Sequence, residues 1–160
     1  SLSSKIGKAC YIPIGHKSNK CIEKDLVLKK LKPLLEDPSI KKIGQNIKFD
    51  FIVFFKHGIN MTSMEDTMLM SYVLDAGKNR HNMDTLSEIH LNHKTISFKD
   101  LVGTGKKEIN FSEVDVEKAK DYAAEDADIT FRLYKKFQKS LKDEKMINIY
   151  EIFELSLIHI

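Results

Sequence analysis

The chain has 160 residues, of which 42% are hydrophobic and 31% are charged, a composition suited to one globular domain with an apolar core. Its formal net charge is only +3, yet residues 1–60 carry 12 lysines against 5 acids and residues 61–160 carry 14 basic residues against 18 acids. Only Arg80 and Arg132 are arginines, which excludes an arginine-rich nucleic-acid binder and a disordered basic tail. This uneven charge permits contact with a polyanion but does not require one.

The cysteine content and the absence of apolar segments exclude further classes. Cys10 and Cys21 are too few for a disulfide scaffold or a cysteine-based zinc site, so we expect a reduced, cytosolic chain. No stretch reaches the ~20 apolar residues of a membrane helix, so no membrane partner is expected. The first residues, SLSSK, lack the apolar segment of a signal peptide. The chain begins without methionine, which indicates a fragment or a natural start elsewhere.

The first third of the chain predicts two strands and two helices. Residues 9–15 are β-branched and aromatic, and Pro13 favours a position near a sheet edge. A helical period predicts a helix over residues 23–35, and a brief strand over 41–45 leads into a second helix. That helix, residues 46–56, is apolar nearly all round, so we expect it to be buried on two sides.

The rest of the chain predicts mainly helices, with a loop over residues 97–110. Three further helices are predicted, over residues 67–74, 83–91 and about 116–142. The sequence SMED at 63–66 resembles a capping box for the first, and Ser112 or Asp115 can cap the last, which one break could interrupt. Two short strands with helices indicate an α/β layer fold. Because two strands do not make a stable sheet, we expect their partners before residue 1.

Two pairs of polar residues lie four positions apart on apolar helices. Tyr122 and Asp126 border the apolar stripe of the last helix, and Asn46 and Asp50 begin the most apolar helix. Each pair has an ordinary interpretation: Asp126 at an exposed edge beside a tyrosine, and Asn46 as a cap with Asp50 turned to water. An unpaired carboxylate on an apolar face is costly, however, so two of them together favour a metal-ion site.

Other signals are weaker. Three further acids lie close to Asp126 in the sequence, namely Asp121, Glu125 and Asp128. They indicate either a nearby cation that offsets their repulsion or a solvated helix face. The sequence GTGKK at 103–107 lacks a preceding strand and a hydroxyl residue after the first lysine, so it does not predict a phosphate-binding loop. The six histidines do not match a zinc motif.

Two segments carry a family resemblance, GQNIKFD at 44–50 and YAAEDAD at 122–128. They resemble the second and the tyrosine-containing third motif of the 3′-5′ exonuclease (proofreading) domain of bacterial DNA polymerase I, family A, in the DEDDy superfamily. Connecting segments also match in order, namely YIPIGH at 11–16, LKPLL at 31–35, RHNMDTL at 80–86 and HKTISF at 93–98. The resemblance therefore spans essentially the whole chain.

The resemblance implies a ribonuclease H-like three-layer α/β fold, with a mixed sheet flanked by helices and here lacking its first strand. Residues 1–150 would be an N-terminally truncated exonuclease domain, and 151–160 would begin the connection to an absent polymerase domain. The implied activity is 3′-5′ exonucleolytic proofreading of DNA during replication and repair. The implied location is the bacterial cytoplasm, in association with the nucleoid.

The resemblance also implies roles for individual residues. Asp126 and Asp50 would each ligate one of two Mg²⁺ or Mn²⁺ ions, and Tyr122 would orient the water that attacks the 3′-terminal phosphodiester. Five residues would contact the 3′-terminal single strand of DNA: Gln45, Asn46 and Phe49 at the terminal nucleotides, Arg80 at a phosphate and Phe98 near a base.

One family motif is absent. The first motif, Asp-x-Glu on the first strand, supplies two of the four carboxylates, and the only such sequence here is Asp115-Val116-Glu117 at the start of the last helix. Because that position favours acids through the helix dipole, we interpret it as a helix start. We therefore expect the chain to fold but to be nearly inactive. A non-catalytic module that braces a polymerase and contacts DNA, and a stand-alone RNA-trimming nuclease of the same superfold, remain alternatives.

Overall fold

The strands of the computed structural model form two separate pairs. The structure describes residues 1–17, 21–105 and 108–156. Strand β1 (Leu2–Lys5) pairs antiparallel with β2 (Lys8–Cys10), and β3 (Lys42–Gly44) pairs parallel with β4 (Met64–Asp66). The predicted strand over 9–15 thus ends early, at Cys10, and β1 and β4 were not predicted. The mixed α/β character is as expected.

Seven α-helices lie in the described residues, together with a 3₁₀ turn (Phe111–Glu113) and a π-helical turn (Tyr150–Glu154). The α-helices are α1 (Lys24–Glu36), α2 (Ile47–Lys56), α3 (Thr67–Asp75), α4 (Met83–Leu91), α5 (Phe98–Val102), α6 (Val116–Asp143) and α7 (Ile147–Ile149). The five helices predicted from periodicity are confirmed, and α6 continues without a break. The predicted loop over 97–110 is wrong in part because it contains α5. Residues 106 and 107, in the rejected phosphate loop, lie outside the described residues.

Helix α6 packs against both strand pairs and against α3 and α4. Its buried row lies at helical spacing, with Ile129, Leu133, Phe137 and Leu141 each about 1% exposed or less. Together with residues of α3 and α4 this row forms the largest apolar cluster. The half of α6 that precedes this row carries Tyr122 and Asp126, so the core fixes the helix that bears them.

Helix α2 is not buried on two sides, and that prediction was wrong. Only Ile47 is fully buried, while Phe49 is 67% exposed and Phe55 is 62% exposed. Phe51 and Phe54 pack against the cluster that includes α1 and β4. The described residues thus cover one face of α2, and an apolar composition alone does not distinguish a covered face from an open one.

Asp66 connects β4 to the first turns of two helices. Its carboxylate is 1% exposed and accepts hydrogen bonds from the backbone N–H groups of Asn46 (3.0 Å), Ile47 (2.9 Å) and Met68 (2.8 Å). Asp66 therefore caps α3 and also binds the start of α2. The predicted capping box was wrong because Ser63 instead donates its hydroxyl to the Pro38 carbonyl.

A tyrosine from the end of the described chain completes this arrangement. The hydroxyl of Tyr150 accepts a hydrogen bond from the Asp66 N–H (2.9 Å) and donates one to Oε2 of Glu65 (2.9 Å). Tyr150 is only 2% exposed. Gly44 at the end of β3 is also constrained, since a Cβ there would lie 2.8 Å from the Cβ of Ile47.

We predict that Asp66→Ala lowers the free energy of unfolding by about 3 kcal/mol, because three buried N–H groups lose one charged acceptor. The comparison variant is Asp115→Ala, which removes the exposed N-cap of α6 alone and should cost about 1 kcal/mol. Urea unfolding followed by circular dichroism measures both. Equal losses in the two variants would contradict the double role of Asp66.

Candidate active site

Tyr122 and Asp126 lie one turn apart on α6, and each affects the pKa of the other. The pKa of Asp126 is raised to about 6, chiefly by burial and also by the charges of Glu125 and Asp84, while the Tyr122 hydroxyl opposes this rise. Burial and the Asp126 charge also raise the pKa of Tyr122. At neutral pH the tyrosine is therefore a protonated donor beside a carboxylate that is costly to ionise.

Asp50 and Asp126 lie on two different helices, α2 and α6. Asp50 is in the first turn of α2 with an exposed side chain, yet partial desolvation raises its pKa and a backbone hydrogen bond opposes the shift. Both carboxylates predicted from sequence therefore have a raised pKa, which a nearby positive charge would lower.

The two carboxylates suit a divalent cation in kind but not in number. Carboxylate oxygens are the ligands that Mg²⁺ and Mn²⁺ prefer, and the raised pKa of each aspartate indicates a site that gains from a nearby positive charge. Within residues 1–17, 21–105 and 108–156, however, there is no group of three or more His, Cys, Asp or Glu side chains that could hold a metal ion. Asp50 and Asp126 are thus candidate ligands of an incomplete set.

An aromatic cluster borders this acidic pair. The ring of Phe98, at the start of α5, lies 5.8 Å from the ring of Tyr122 and 5.9 Å from that of Phe111, centroid to centroid. Phe98 is 46% exposed, so one side of its ring remains open to solvent. The structure thus brings Phe98 beside Tyr122.

Gln45, Asn46 and Arg80 line an open groove of about 760 Å³. Asn46 has left-handed backbone angles (φ 60°, ψ 48°), which place it at the turn between β3 and α2. The Gln45 side chain donates to the His81 carbonyl (2.8 Å), and Arg80 is exposed. Phe49 is not among the described residues that line this groove.

Two acids near Asp126 have structural partners that the sequence did not indicate. Glu125 accepts hydrogen bonds from His93 Nε2 (2.8 Å) and the Ile96 N–H (2.6 Å), and Asp84 accepts one from the Thr95 hydroxyl (2.7 Å). These bonds attach the segment before α5 to α6 and α4. The only sequence signal was that Glu125, Asp84 and the HKTISF residues each belong to a segment that resembles the family, YAAEDAD, RHNMDTL and HKTISF respectively.

The remaining acids of α6 divide into solvated and paired groups. Asp121 is exposed beside Lys120, as a solvated face predicts. Asp128 instead pairs with Arg132 (2.7 Å) and accepts from the Gly7 N–H (2.6 Å). Asp115 caps the helix, which agrees with its interpretation as a helix start.

Comparisons with known proteins show the family of the chain. Residues 1–142 match the family described as 3′-5′ exonuclease. The chain belongs to this family. It is 41% identical to DNA polymerase I of Rhizobium leguminosarum over 94% of the chain and 16% of that protein. It is 41% identical to DNA polymerase I of Pseudomonas aeruginosa, over 89% and 16%, and 37% identical to that of Borreliella burgdorferi, over 97% and 17%.

The exonuclease chain spans about one sixth of the length of these curated relatives. The resemblance found in its sequence is thereby confirmed at the level of the family. None of its described helices combines the length and the apolarity that crossing a membrane requires.

We predict that Asp126→Asn stabilises the metal-free protein at pH 7.5 by about 1–2 kcal/mol. The folded state raises the pKa of Asp126 to about 6, whereas the unfolded chain has a value of about 4. The stability from this group is therefore fully present below pH ~4 and is lost as the pH rises through ~6. Thermal unfolding in a chelator should show the gain at pH 7.5 and none at pH ~4.

The control for this prediction is Asp128→Asn on the same helix. That change removes the Arg132 ion pair and should not stabilise the protein at pH 7.5. If Asp126→Asn unfolds at or below the wild-type temperature at pH 7.5, the claim that folding raises the pKa of Asp126 is contradicted.

Proposed function

We propose that the chain is the 3′-5′ exonuclease domain of a DNA polymerase I and that it hydrolyses the 3′-terminal phosphodiester of DNA with two divalent cations. The observation that carries this proposal is that Asp126, one helical turn from Tyr122 on α6, and Asp50 on α2 both have a raised pKa, as carboxylates that gain from a nearby cation do. Family membership supports the same reaction. When bound, Mg²⁺ or Mn²⁺ ions stabilise the charge that develops on the attacking and leaving oxygens.

The chain's own residues orient the reacting groups. A hydrogen bond donated by the Tyr122 hydroxyl to Asp126 would leave the phenol oxygen able to accept one from a water molecule. Its raised pKa keeps this hydroxyl protonated at neutral pH, so Tyr122 orients the water rather than removing its proton. Asp50 and Asp126 would hold the ions, together with ligands beyond these two.

DNA contacts follow from the exposed groups around the acidic pair. Phe98 and Phe49 offer aromatic faces for stacking with unpaired bases, which tolerates any sequence as proofreading requires. Asn46 and Gln45 line the groove that the single-stranded DNA would follow, and the exposed guanidinium of Arg80 in the same groove suits a phosphate. Residues 1–150 would form the domain and 151–160 its link to a polymerase domain, in the bacterial cytoplasm at the nucleoid.

A second candidate function is a non-catalytic module that contacts DNA beside a polymerase. The observation that favours it is the lack, among the described residues, of any group of three metal-ligating side chains. With two carboxylates the affinity for cations should be weak, so we expect the 160-residue chain to be nearly inactive on its own.

We predict that the chain with Mn²⁺ removes nucleotides slowly and only from the 3′ end of labelled single-stranded DNA. Asp126→Ala should abolish this residual release, because it removes a cation ligand and the partner of Tyr122. Gel analysis of 3′-labelled and 5′-labelled strands measures both the rate and the polarity. Asp121→Ala, an exposed acid on the same helix, is the matched control and should keep the wild-type rate.

Each alternative outcome has a distinct meaning. One outcome is that the unmodified chain degrades the strand rapidly and that Asp126→Ala abolishes this activity. That result would contradict the claim that its set of metal ligands is incomplete, but it would agree with the exonuclease reaction. No release at any Mn²⁺ concentration, with binding of the strand retained, would favour the non-catalytic module. Cleavage within the strand or from its 5′ end would contradict the proposed reaction.

A further inference from the structure

The groove beside Asn46 contains an aromatic pair without a role in the proposed reaction. The rings of Tyr72 on α3 and His81 lie 3.9 Å apart, centroid to centroid, with 36° between their planes. Tyr72 is 43% exposed, and both residues line the groove of about 760 Å³. The amide side chains of Asn79 and Asn82 line the same groove. A large aromatic ring thus stays open to solvent among polar groups that can donate and accept hydrogen bonds.

Hydrogen bonds hold the histidine of this pair at both its ring and its backbone. The His81 carbonyl accepts from the Gln45 side chain (2.8 Å), and its Nδ1 lies 2.8 Å from the Ser71 hydroxyl oxygen. Ser71 donates its only hydroxyl proton to the Met68 carbonyl (2.7 Å). Nδ1 of His81 must therefore carry the hydrogen and donate to Ser71, which fixes the ring orientation. A platform ordered before binding loses little entropy when a ligand stacks on it.

We propose that Tyr72, supported by His81, is a stacking platform for one nucleobase of single-stranded DNA. This inference rests on the proposed function. Every base has a π-face, so an exposed aromatic ring binds any of the four, and exposed Arg80 at the same groove suits the adjoining phosphate. The groove also lies on the route that single-stranded DNA would take to Asp50. Asn46, which lines the groove, precedes Asp50 by four residues, about 6 Å along the α2 axis.

Binding of a short fluorescent oligothymidine in EDTA, measured by anisotropy, tests the platform without cleavage. Tyr72→Ala should weaken binding about tenfold, the loss expected for one stacked base. Tyr72→Leu should lose as much although it keeps apolar packing, and Tyr72→Phe should bind like the wild type. The matched control is Phe55→Ala, which removes a 62% exposed ring outside the groove and should leave binding unchanged.

An oligothymidine in which abasic sites replace the bases makes the test specific to stacking. On that strand the Tyr72→Ala penalty should fall to less than twofold, because the partner of the ring is already gone. Two results would overturn the platform and leave the proposed function intact. One is that Tyr72→Ala weakens binding tenfold on both strands. The other is that Tyr72→Ala weakens binding on neither strand while Arg80→Ala does. A wild-type chain that does not bind single-stranded DNA would contradict both proposals.

Discussion

The carboxylate of Asp66 accepts hydrogen bonds from the first turns of α2 and α3 at once, and the position of the whole site follows from this. Both helices begin where the parallel strands β3 and β4 end, so the groove lies at the carboxyl ends of these strands. Fixing the Asn46 and Ile47 N–H groups also fixes Asp50 in the first turn of α2. Tyr150 then connects the end of the described chain to the same point.

The acidic pair lies where the fold does not stabilise negative charge well. Burial raises the pKa of both Asp50 and Asp126, and the neighbouring Asp84 and Glu125 add to the effect at Asp126. Two acids of the same region, Glu125 and Asp128, are by contrast fully engaged in holding the surrounding segments. Some carboxylates of this region thus hold the structure together, whereas Asp50 and Asp126 keep a raised pKa.

Helical periodicity was sufficient to predict the long helices, including α4 and α6, because their apolar faces contact the core. Strands β1 and β4 were missed because each is three or four residues long with little apolar alternation. The family motifs predicted the residues of the acidic pair and part of the groove. The Tyr72–His81 pair and the partners of Glu125 were not predictable, since each depends on contacts between elements that no local pattern encodes.

Carboxyl NMR of the metal-free protein, titrated with acid and then with Mg²⁺, tests the central claim that Asp50 and Asp126 are carboxylates suited to binding divalent cations. The account predicts that Asp126 titrates with a pKa of about 6 and Asp50 above its ordinary value. It also predicts that Mg²⁺ lowers both pKa values. Two aspartates that titrate near pH ~4 and do not respond to Mg²⁺ would contradict it.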